Sequence, residues 1–220
     1  MNADLHIHST FSDGSETIER IIEMAKERKL DAIAITDHDT ISHMSSIPCD
    51  AGINVIHGVE LSTVHRKTNT YAEVLGYNIR DPEMIAALPR ESLKAQGGSH
   101  EKRCADVIEA VRAIKESGGV SVLAHPGRQQ NFRIIPELVE AGLGGLELNH
   151  SANSPKDREA ILEYAALYGL FLTGGSDYHG RNDTRRVEIG HFLSEDSGAM
   201  AICPSIPQLN QPAGFTSPCP

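Results

Sequence analysis

The sequence predicts an α/β barrel in which a parallel sheet is surrounded by helices. Strand-like and helix-like segments alternate along 220 residues, a length that suits one large domain. Several short apolar runs lead into histidine or acidic residues, as in LHIH, GVE and SDYH. Polar side chains that follow many parallel strands meet at the C-terminal mouth of a barrel. The sequence therefore predicts a polar site at that mouth.

The first half of the chain predicts four strands and two helices. The apolar segments ADLHI, DAIAIT, INVIHGV and YAEVLGY predict strands at residues 3–7, 31–36, 53–59 and 71–77. Apolar residues from Ile18 to Ala25 recur at helical spacing, which predicts a helix over 18–29 with Thr17 as its N-cap. A short helix is expected near 40–46.

The second half continues the alternation. Residues 100–117 carry a long helical pattern, in which the apolar residues from Val107 to Ile114 share one face. Further strands are then predicted to alternate with helices, the strands at 120–124, 145–149 and 170–176 and the helices at 132–141 and 155–168.

Residues 1–192 are predicted to form the barrel domain. Within it, residues 78–99 contain two prolines and a pair of glycines, so a loop or short lid is expected there. Residues 193–220 contain five prolines and carry no charge from residue 197 onwards. We expect this tail to be disordered or loosely draped on the domain.

The composition favours a cytoplasmic, soluble protein without a broad nucleic-acid surface. A net charge of −10 opposes a broad nucleic-acid surface, although bound cations would still allow a nucleotide to bind. No signal peptide precedes the first strand, and no apolar run is long enough to cross a membrane. The four cysteines have no paired spacing, which indicates free thiols in a reducing compartment. No oligomeric state is predicted.

The pair His6 and His8 is the strongest sign of a metal site. Residues one apart on a strand face the same side, so both imidazoles can bind one ion while Ile7 faces the core. Asp177 and His179 repeat this spacing. They share a face if the strand continues through them, and they can serve two adjacent ions if the chain turns.

These residues suit phosphoester hydrolysis. That reaction needs an activated water and neutralised phosphoryl oxygens, and two or three clustered divalent ions provide both. Glu60 is the natural carboxylate to bridge two ions. Asp39 has two readings that stay open, a partner that orients His38 or the N-cap of the following helix.

The motifs HxH, SDG, TDHD, GxE, AHP and SDxH occur here in that order. Together they resemble the polymerase-and-histidinol-phosphatase (PHP) family, and most closely its stand-alone bacterial branch, over about residues 3–180. The resemblance implies a distorted (β/α)7 TIM-like barrel. It also implies a metal-dependent phosphoesterase in which a hydroxide that bridges two ions attacks phosphorus, on a small phosphomonoester or phosphodiester such as a nucleotide or short oligonucleotide.

The resemblance also implies a site with two or three divalent ions, Mn²⁺, Fe²⁺ or Zn²⁺. One ion would be held by His6, His8, Glu60 and Asp177. A second would share Glu60 with His125, and Asp13, His38 and His179 would hold the third. The predicted catalytic residues are Asp37, His38 and His179.

Two features depart from the family pattern. Glu73 stands where the family usually has histidine, so it either binds the second ion through oxygen or leaves that ion weakly held, with His65 as a less favoured substitute. In addition, only about 47 residues separate Tyr77 from His125, where the nucleotide phosphatases carry a large insertion that grips phosphate.

The predicted substrate contacts are Arg103, Arg128, Asn149 and His150, which lie near the expected mouth. An arginine can direct two hydrogen bonds at one phosphate. Two other functions remain open. One is an amidohydrolase-type metal hydrolase, which commonly needs a bridging modified lysine where this chain has Glu60, and the other is a non-catalytic metal-binding module.

Overall fold

The structure, a computed structural model, describes residues 1–48, 50–89 and 104–203. Strands of these residues form one mixed sheet, made of β1 (Ala3–Ile7), β2 (Ala32–Ile35), β3 (Asn54–His65), β4 (Thr70–Tyr77), β5 (Ala105–Asp106), β6 (Val120–Leu123), β7 (Gly145–Asn149) and β8 (Phe171–Gly174). The order is β1-β2-β3-β4-β6-β7-β8, and β5 pairs with β3. Beyond β8, Tyr178 pairs with Ile7 and accepts a hydrogen bond from His8 N at 2.9 Å. The sheet therefore curls into a nearly closed barrel, as predicted.

Helices follow the strands as the sequence predicts. Thr17 caps the first helix by accepting a hydrogen bond from Arg20 N. The α-helices among the described residues are α1 (Ile18–Glu27), α2 (Pro82–Ala86), α3 (Val107–Glu116), α4 (Pro126–Gln129), α5 (Ile135–Ala141), α6 (Pro155–Tyr168) and α7 (Asp196–Ile202). Short 3-10 helices lie at Ser42–Ser46, Phe132–Ile134 and Gly180–Asn182.

The prediction of an all-parallel sheet is wrong at β4. This strand runs antiparallel to both β3 and β6. Only residues 66–69 join β3 to β4, and a parallel pair would need a crossover of a dozen residues or more. Because β4 starts at the end where β3 finishes, Glu73 lies near the mouth of the barrel.

The prediction of a disordered tail from residue 193 is wrong for residues 193–203. Helix α7 forms there, and its Ala199 and Ile202 lie at helical spacing and are buried with Leu5 and Val122 inside the barrel. Ser197 Oγ also accepts a hydrogen bond from Leu172 N at 3.1 Å. Burial of these apolar side chains stabilises the helix.

Part of the predicted loop or lid at 78–99 is helix α2, and its remainder from residue 90 lies outside the described residues. The same is true of Arg103 and of residues 204–220. None of the helices that the structure describes has the length and apolar character needed to cross a bilayer.

Candidate metal centre

His6 and His8 face the inside of the barrel together, as predicted. Their ring centroids lie 5.2 Å apart, and both side chains are fully buried. Ile7 packs on the outside with Ile18 and Ile21 of α1. Gly175 follows β8 and passes so close to His6 that any Cβ there would collide with the Cβ of the histidine. The strand and this glycine together fix where the two imidazoles lie.

The carboxylate of Glu60 is the centre of the site. Its Oε2 lies 3.1 Å from His6 Nε2, 3.2 Å from His8 Nε2 and 3.3 Å from His38 Nδ1. Its Oε1 lies 3.1 Å from His125 Nε2. Burial alone would raise the pKa of Glu60, but the surrounding imidazoles, His6 first, hold it well below its usual range. Glu60 is therefore an anion to which four imidazoles are directed.

Asp177 and His179 belong to two adjacent groups of ligands. Asp177 Oδ1 lies 3.2 Å from His8 Nε2, whereas His179 Nε2 lies 3.2 Å from Asp13 Oδ1. The chain turns between them, because Asp177 has a φ of 52° and a 3-10 helix begins at Gly180. This geometry favours the reading in which the pair serves two neighbouring ions. Burial would raise the pKa of Asp13, but the hydrogen bond from His179 and the charges of His179 and His38 lower it to about 2.

The donor atoms fit divalent ions. His6 Nε2, both ring nitrogens of His8, His38 Nδ1 and Glu60 Oε2 are buried and have no hydrogen-bond partner among the residues that the structure describes. Buried polar atoms are almost always paired, so a cluster of unpaired ring nitrogens and a carboxylate oxygen fits a binding site for cations. Donor atoms within 4.8 Å of one another form four overlapping groups: His6, His8, Glu60 and Asp177; His8, Asp13, His38 and His179; His38, Glu60 and Glu73; and His6, His125, Glu147 and His150.

Glu73, and not His65, reaches this centre. Glu73 Oε2 lies 3.7 Å from His125 Nε2 and accepts a hydrogen bond from Gln129 Nε2 at 2.6 Å. His65 instead contacts Thr68 Oγ1 at 2.7 Å. The position at which the family usually has histidine is therefore filled here by a carboxylate at the edge of the site.

Asp37 contacts the loop that follows β1. It accepts hydrogen bonds from Ser9 N at 2.8 Å, from Ser9 Oγ and Ser12 Oγ at 2.7 Å each, and it pairs with His43 Nδ1 at 3.2 Å. It is in none of the candidate ligand groups of the described residues. Asp37 therefore holds the loop that carries Asp13, and its predicted catalytic role stays a prediction.

Of the two predicted readings of Asp39, the N-cap of the following helix is wrong, and the partner that orients His38 stays a prediction. Asp39 Oδ1 accepts a hydrogen bond from Ser62 N at 2.9 Å, which ties it to β3. The 3-10 helix Ser42–Ser46 starts after Ile41, so Asp39 is not its N-cap.

A profile of the PHP domain matches residues 4–118. The chain belongs to the PHP family. This PHP protein is 29% identical to the phosphoribosyl 1,2-cyclic phosphate 1,2-diphosphodiesterase of Eggerthella lenta, over 82% of this chain and 95% of the relative. It is 26% identical to the 5'-3' exoribonuclease Rnm of Escherichia coli, over 90% of this chain and 92% of the relative.

The structural comparison confirms the barrel. The crystal structure of a candidate metal-dependent phosphoesterase from Bifidobacterium adolescentis matches with a TM-score of 0.77 and 24% identity, over 91% of this chain and 94% of that one. The PHP assignment and the phosphoesterase relatives confirm the predicted enzyme class, a phosphoesterase, and the ligand groups are consistent with divalent metal binding.

Of the two polar residues at the end of β7, only His150 reaches the candidate metal centre of this PHP protein. His150 Nε2 lies 3.3 Å from Asp177 Oδ2, and its Nδ1 accepts a hydrogen bond from Ala152 N at 3.0 Å. Neutral His150 therefore carries its proton on Nε2 and donates it towards Asp177. Asn149 instead donates to Leu193 O at 3.0 Å. The register of β7 shifts between Glu147 and Asn149, which turns Asn149 away from the predicted substrate contact.

Sequence reasoning missed two residues of this site, Glu147 and Arg185. Glu147 is fully buried, and its Oε1 lies 3.0 Å from His6 Nδ1. A lone acid between Leu146 and Leu148 of an apolar strand was the available signal, because acids are almost never buried without a partner. Arg185 belongs to a loop with no periodic pattern, so the sequence held no comparable signal for it.

Arg185 and Arg128 approach the same oxygen of Asp177. Arg185 Nη1 donates to Asp177 Oδ2 at 2.8 Å, and Arg128 Nη1 lies 3.8 Å from that atom. Asp183 holds the Arg185 guanidinium from the other side, at 2.9 Å from Nη2. Both arginines line a pocket of about 300 Å³ together with the metal-ligand candidates Asp13, His38, Glu73 and His179. Two cationic donors thus lie beside the candidate metal centre.

Proposed function

We propose that this PHP protein hydrolyses a small, nucleotide-like phosphomonoester or phosphodiester with two or three bound divalent ions, Mn²⁺, Fe²⁺ or Zn²⁺. The observation that carries the proposal is the ring of unpaired imidazole nitrogens around Glu60, deep in the mouth of the barrel. Neutral imidazoles with carboxylates suit these ions, and such a donor set does not select strongly among them.

Each ligand group is assigned to one ion. We assign His6, His8, Glu60 and Asp177 to the first ion, Glu60, His125 and Glu73 to the second, and Asp13, His38 and His179 to the third. When bound, the ions make water nucleophilic at neutral pH and neutralise charge on the phosphoryl oxygens. The protein holds the ligands of the first and second ions in place before substrate arrives, since all of these side chains are buried.

Three N–H donors are placed to bind the substrate phosphate. His150, Arg128 and Arg185 all direct nitrogen atoms at Asp177 Oδ2, at 3.3, 3.8 and 2.8 Å. With Asp177 engaged by an ion, the same donors are available for phosphoryl oxygens next to it. Charge-assisted hydrogen bonds of this kind are short and strong. The arginines therefore orient the substrate, and the imidazole of His150 donates its Nε2 proton.

The size and charge of the protein favour a small substrate over long RNA. The pocket beside the ligands measures about 300 Å³, and the chain carries a net charge of −10. Small-molecule pockets are typically about 300–1,000 Å³. Binding of long RNA generally relies on an extended basic surface, which an acidic protein does not favour. We also propose that the protein is cytoplasmic and does not contact a membrane.

Hydrolysis of a chromogenic ester tests the proposal. Purified protein with Mn²⁺ is expected to release p-nitrophenol from p-nitrophenyl phosphate or from its bis ester, and EDTA is expected to abolish release. Nucleotides, cyclic ribose phosphates and short oligonucleotides then define the preferred substrate. Absence of turnover on all of them with Mn²⁺, Fe²⁺ and Zn²⁺ would contradict the proposal. Tight ion binding without turnover would favour the non-catalytic module, and hydrolysis of amides alone would favour the amidohydrolase.

A further inference from the structure

Glu147 is a buried acid that the proposed ligand sets do not use, although it lies in a candidate ligand group with His6, His125 and His150. It lies in the middle of β7, opposite Thr173 of β8, and its side chain is fully buried. Its neighbours Leu146 and Leu148 pack on the other face of the strand, in the cluster beneath the helices. Because a buried charge is costly, a carboxylate here needs partners that stabilise it.

One oxygen of Glu147 sets the proton position on His6. Oε1 lies 3.0 Å from His6 Nδ1, and an ionised carboxylate can only accept, so Nδ1 carries the hydrogen. The other ring nitrogen, Nε2, then presents its lone pair to the space between Glu60 and Asp177. In that orientation His6 can bind an ion through Nε2 and through no other atom.

The second oxygen of Glu147 holds the backbone at another ligand. Oε2 accepts a hydrogen bond from His125 N at 2.9 Å. His125 has a φ of 23° and a ψ of 61°, a conformation that is unfavourable for a residue with a side chain. The hydrogen bond stabilises this backbone, which directs His125 Nε2 towards Glu60 Oε1 at 3.1 Å.

We propose that Glu147 is a positioning residue of the metal centre, which fixes the tautomer of His6 and the backbone of His125 and does not itself bind an ion. Each of its oxygens already accepts an N–H from a different ligand residue. A carboxylate behind a metal-bound histidine is a recurrent arrangement that raises metal affinity. The inference rests on the proposed function for the identity of the centre, but it concerns metal binding and not turnover.

The test uses the full chain loaded with Zn²⁺, which is diamagnetic and binds imidazole. In the wild type we expect a slowly exchanging, downfield Nδ1–H signal in the NMR spectrum, assigned to His6 by its absence in His6→Asn. In Glu147→Gln this signal is expected to move upfield and exchange faster. The Zn²⁺ affinity, measured by competition with a chelator, is expected to fall by about 10- to 100-fold with the number of bound ions unchanged.

Thr173→Val is the matched control. Thr173 is the buried neighbour of Glu147 across the sheet, and its Oγ1 has no hydrogen-bond partner within the described part of the chain. This nearly isosteric change should leave the His6 signal and the affinity for Zn²⁺ as in the wild type.

Three results would overturn the inference. One is a wild type in which His6 carries no Nδ1–H when Zn²⁺ is bound, a result that needs no variant and so stands even if Glu147→Gln does not fold. Another is loss of a bound ion in Glu147→Gln at saturating Zn²⁺, which would make Glu147 a ligand. The last is a change in affinity below about threefold, outside the range for such residues. None of these measurements involves hydrolysis, so failure of the proposed function would be seen separately.

Discussion

Glu60 Oε2 lies 3.1 Å from His6 Nε2, and neither atom has a hydrogen-bond partner among the described residues. Burial would lower the pKa of His6, but the carboxylates of Glu60, Glu147 and Asp177 raise it well above its usual range, so a second proton lies between the two atoms when no metal ion is bound. In neutral His6 the hydrogen is on Nδ1, and Nε2 and Oε2 are then two buried acceptors that are unfavourable this close together unless a metal ion lies next to both. This pair of atoms is therefore the simplest example of the physical argument for a metal centre.

Glu60→Gln is expected to lose ions and activity together. Glutamine keeps the shape of the side chain but loses the charge and one acceptor oxygen, so it cannot bridge two ions. Substitution of residues that hydrogen-bond to metal ligands already lowers metal affinity or activity by about 10- to 100-fold. For a ligand itself we therefore expect a loss of at least about 100-fold in Mn²⁺-dependent turnover. Metal content and turnover are measured on the same preparation. Glu163→Gln, an exposed change on α6, is the control, and equal behaviour of the two variants would refute the bridging role.

Arg185→Gln is expected to weaken substrate binding more than the chemical step. A hydrogen bond to a charged group contributes about 1.5–3 kcal/mol, so KM should rise about tenfold or more. Steady-state kinetics on a phosphomonoester and a phosphodiester measure the effect. Arg181→Gln provides the comparison, because Arg181 belongs to the same loop but is 87% exposed. If KM is unchanged while kcat falls, Arg185 does not bind the phosphate of the substrate in the ground state.

Gly175→Ala is expected to disturb the centre through His6. The added methyl group would collide with His6 Cβ, and overpacking of this kind typically costs about 1–3 kcal/mol. Thermal unfolding and Mn²⁺ affinity should both decrease. Gly169→Ala adds strain at a φ of 66° but meets no atom within 4 Å, so its metal affinity should stay that of the wild type. Normal Mn²⁺ binding by Gly175→Ala would mean that His6 can shift freely.

Asp37→Asn is expected to lower stability in a manner that depends on pH. Burial alone would raise the pKa of Asp37, but hydrogen bonds from His43, Ser12 and Ser9 lower it to about 2, from 3.8. A carboxylate with a lowered pKa contributes stability above pH 3.8, and this contribution is lost as the pH falls towards 2. Urea unfolding in EDTA at several pH values should show the largest difference from the wild type above pH 4 and a shrinking one below it. A difference independent of pH would contradict this account of Asp37.

The ligand residues could be predicted because the C-terminal ends of the strands in a barrel all meet at one mouth. His6 and His8 are one residue apart on a predicted strand, and Glu60 and His125 follow apolar runs, so their convergence needs only the barrel topology. Glu73 could be placed because it precedes LGY in another strand. These inferences depend on local sequence and on one rule of architecture.

The remaining features depend on tertiary structure that local patterns do not contain. The reversed direction of β4 follows from a four-residue connection, and the outward turn of Asn149 follows from a register shift in β7. Arg185 reaches Asp177 through a loop with no periodicity. Helix α7 is stabilised by the burial of Ala199 and Ile202 in the barrel, whereas its composition alone resembles a disordered tail.

Anomalous diffraction from crystals soaked in Mn²⁺ tests the central claim most directly. The account predicts at least two peaks in the mouth of the barrel, one bound by His6, His8, Glu60 and Asp177 and another that shares Glu60 with His125. A well-ordered map in which these side chains keep their positions at saturating Mn²⁺ and no peak lies between them would contradict it.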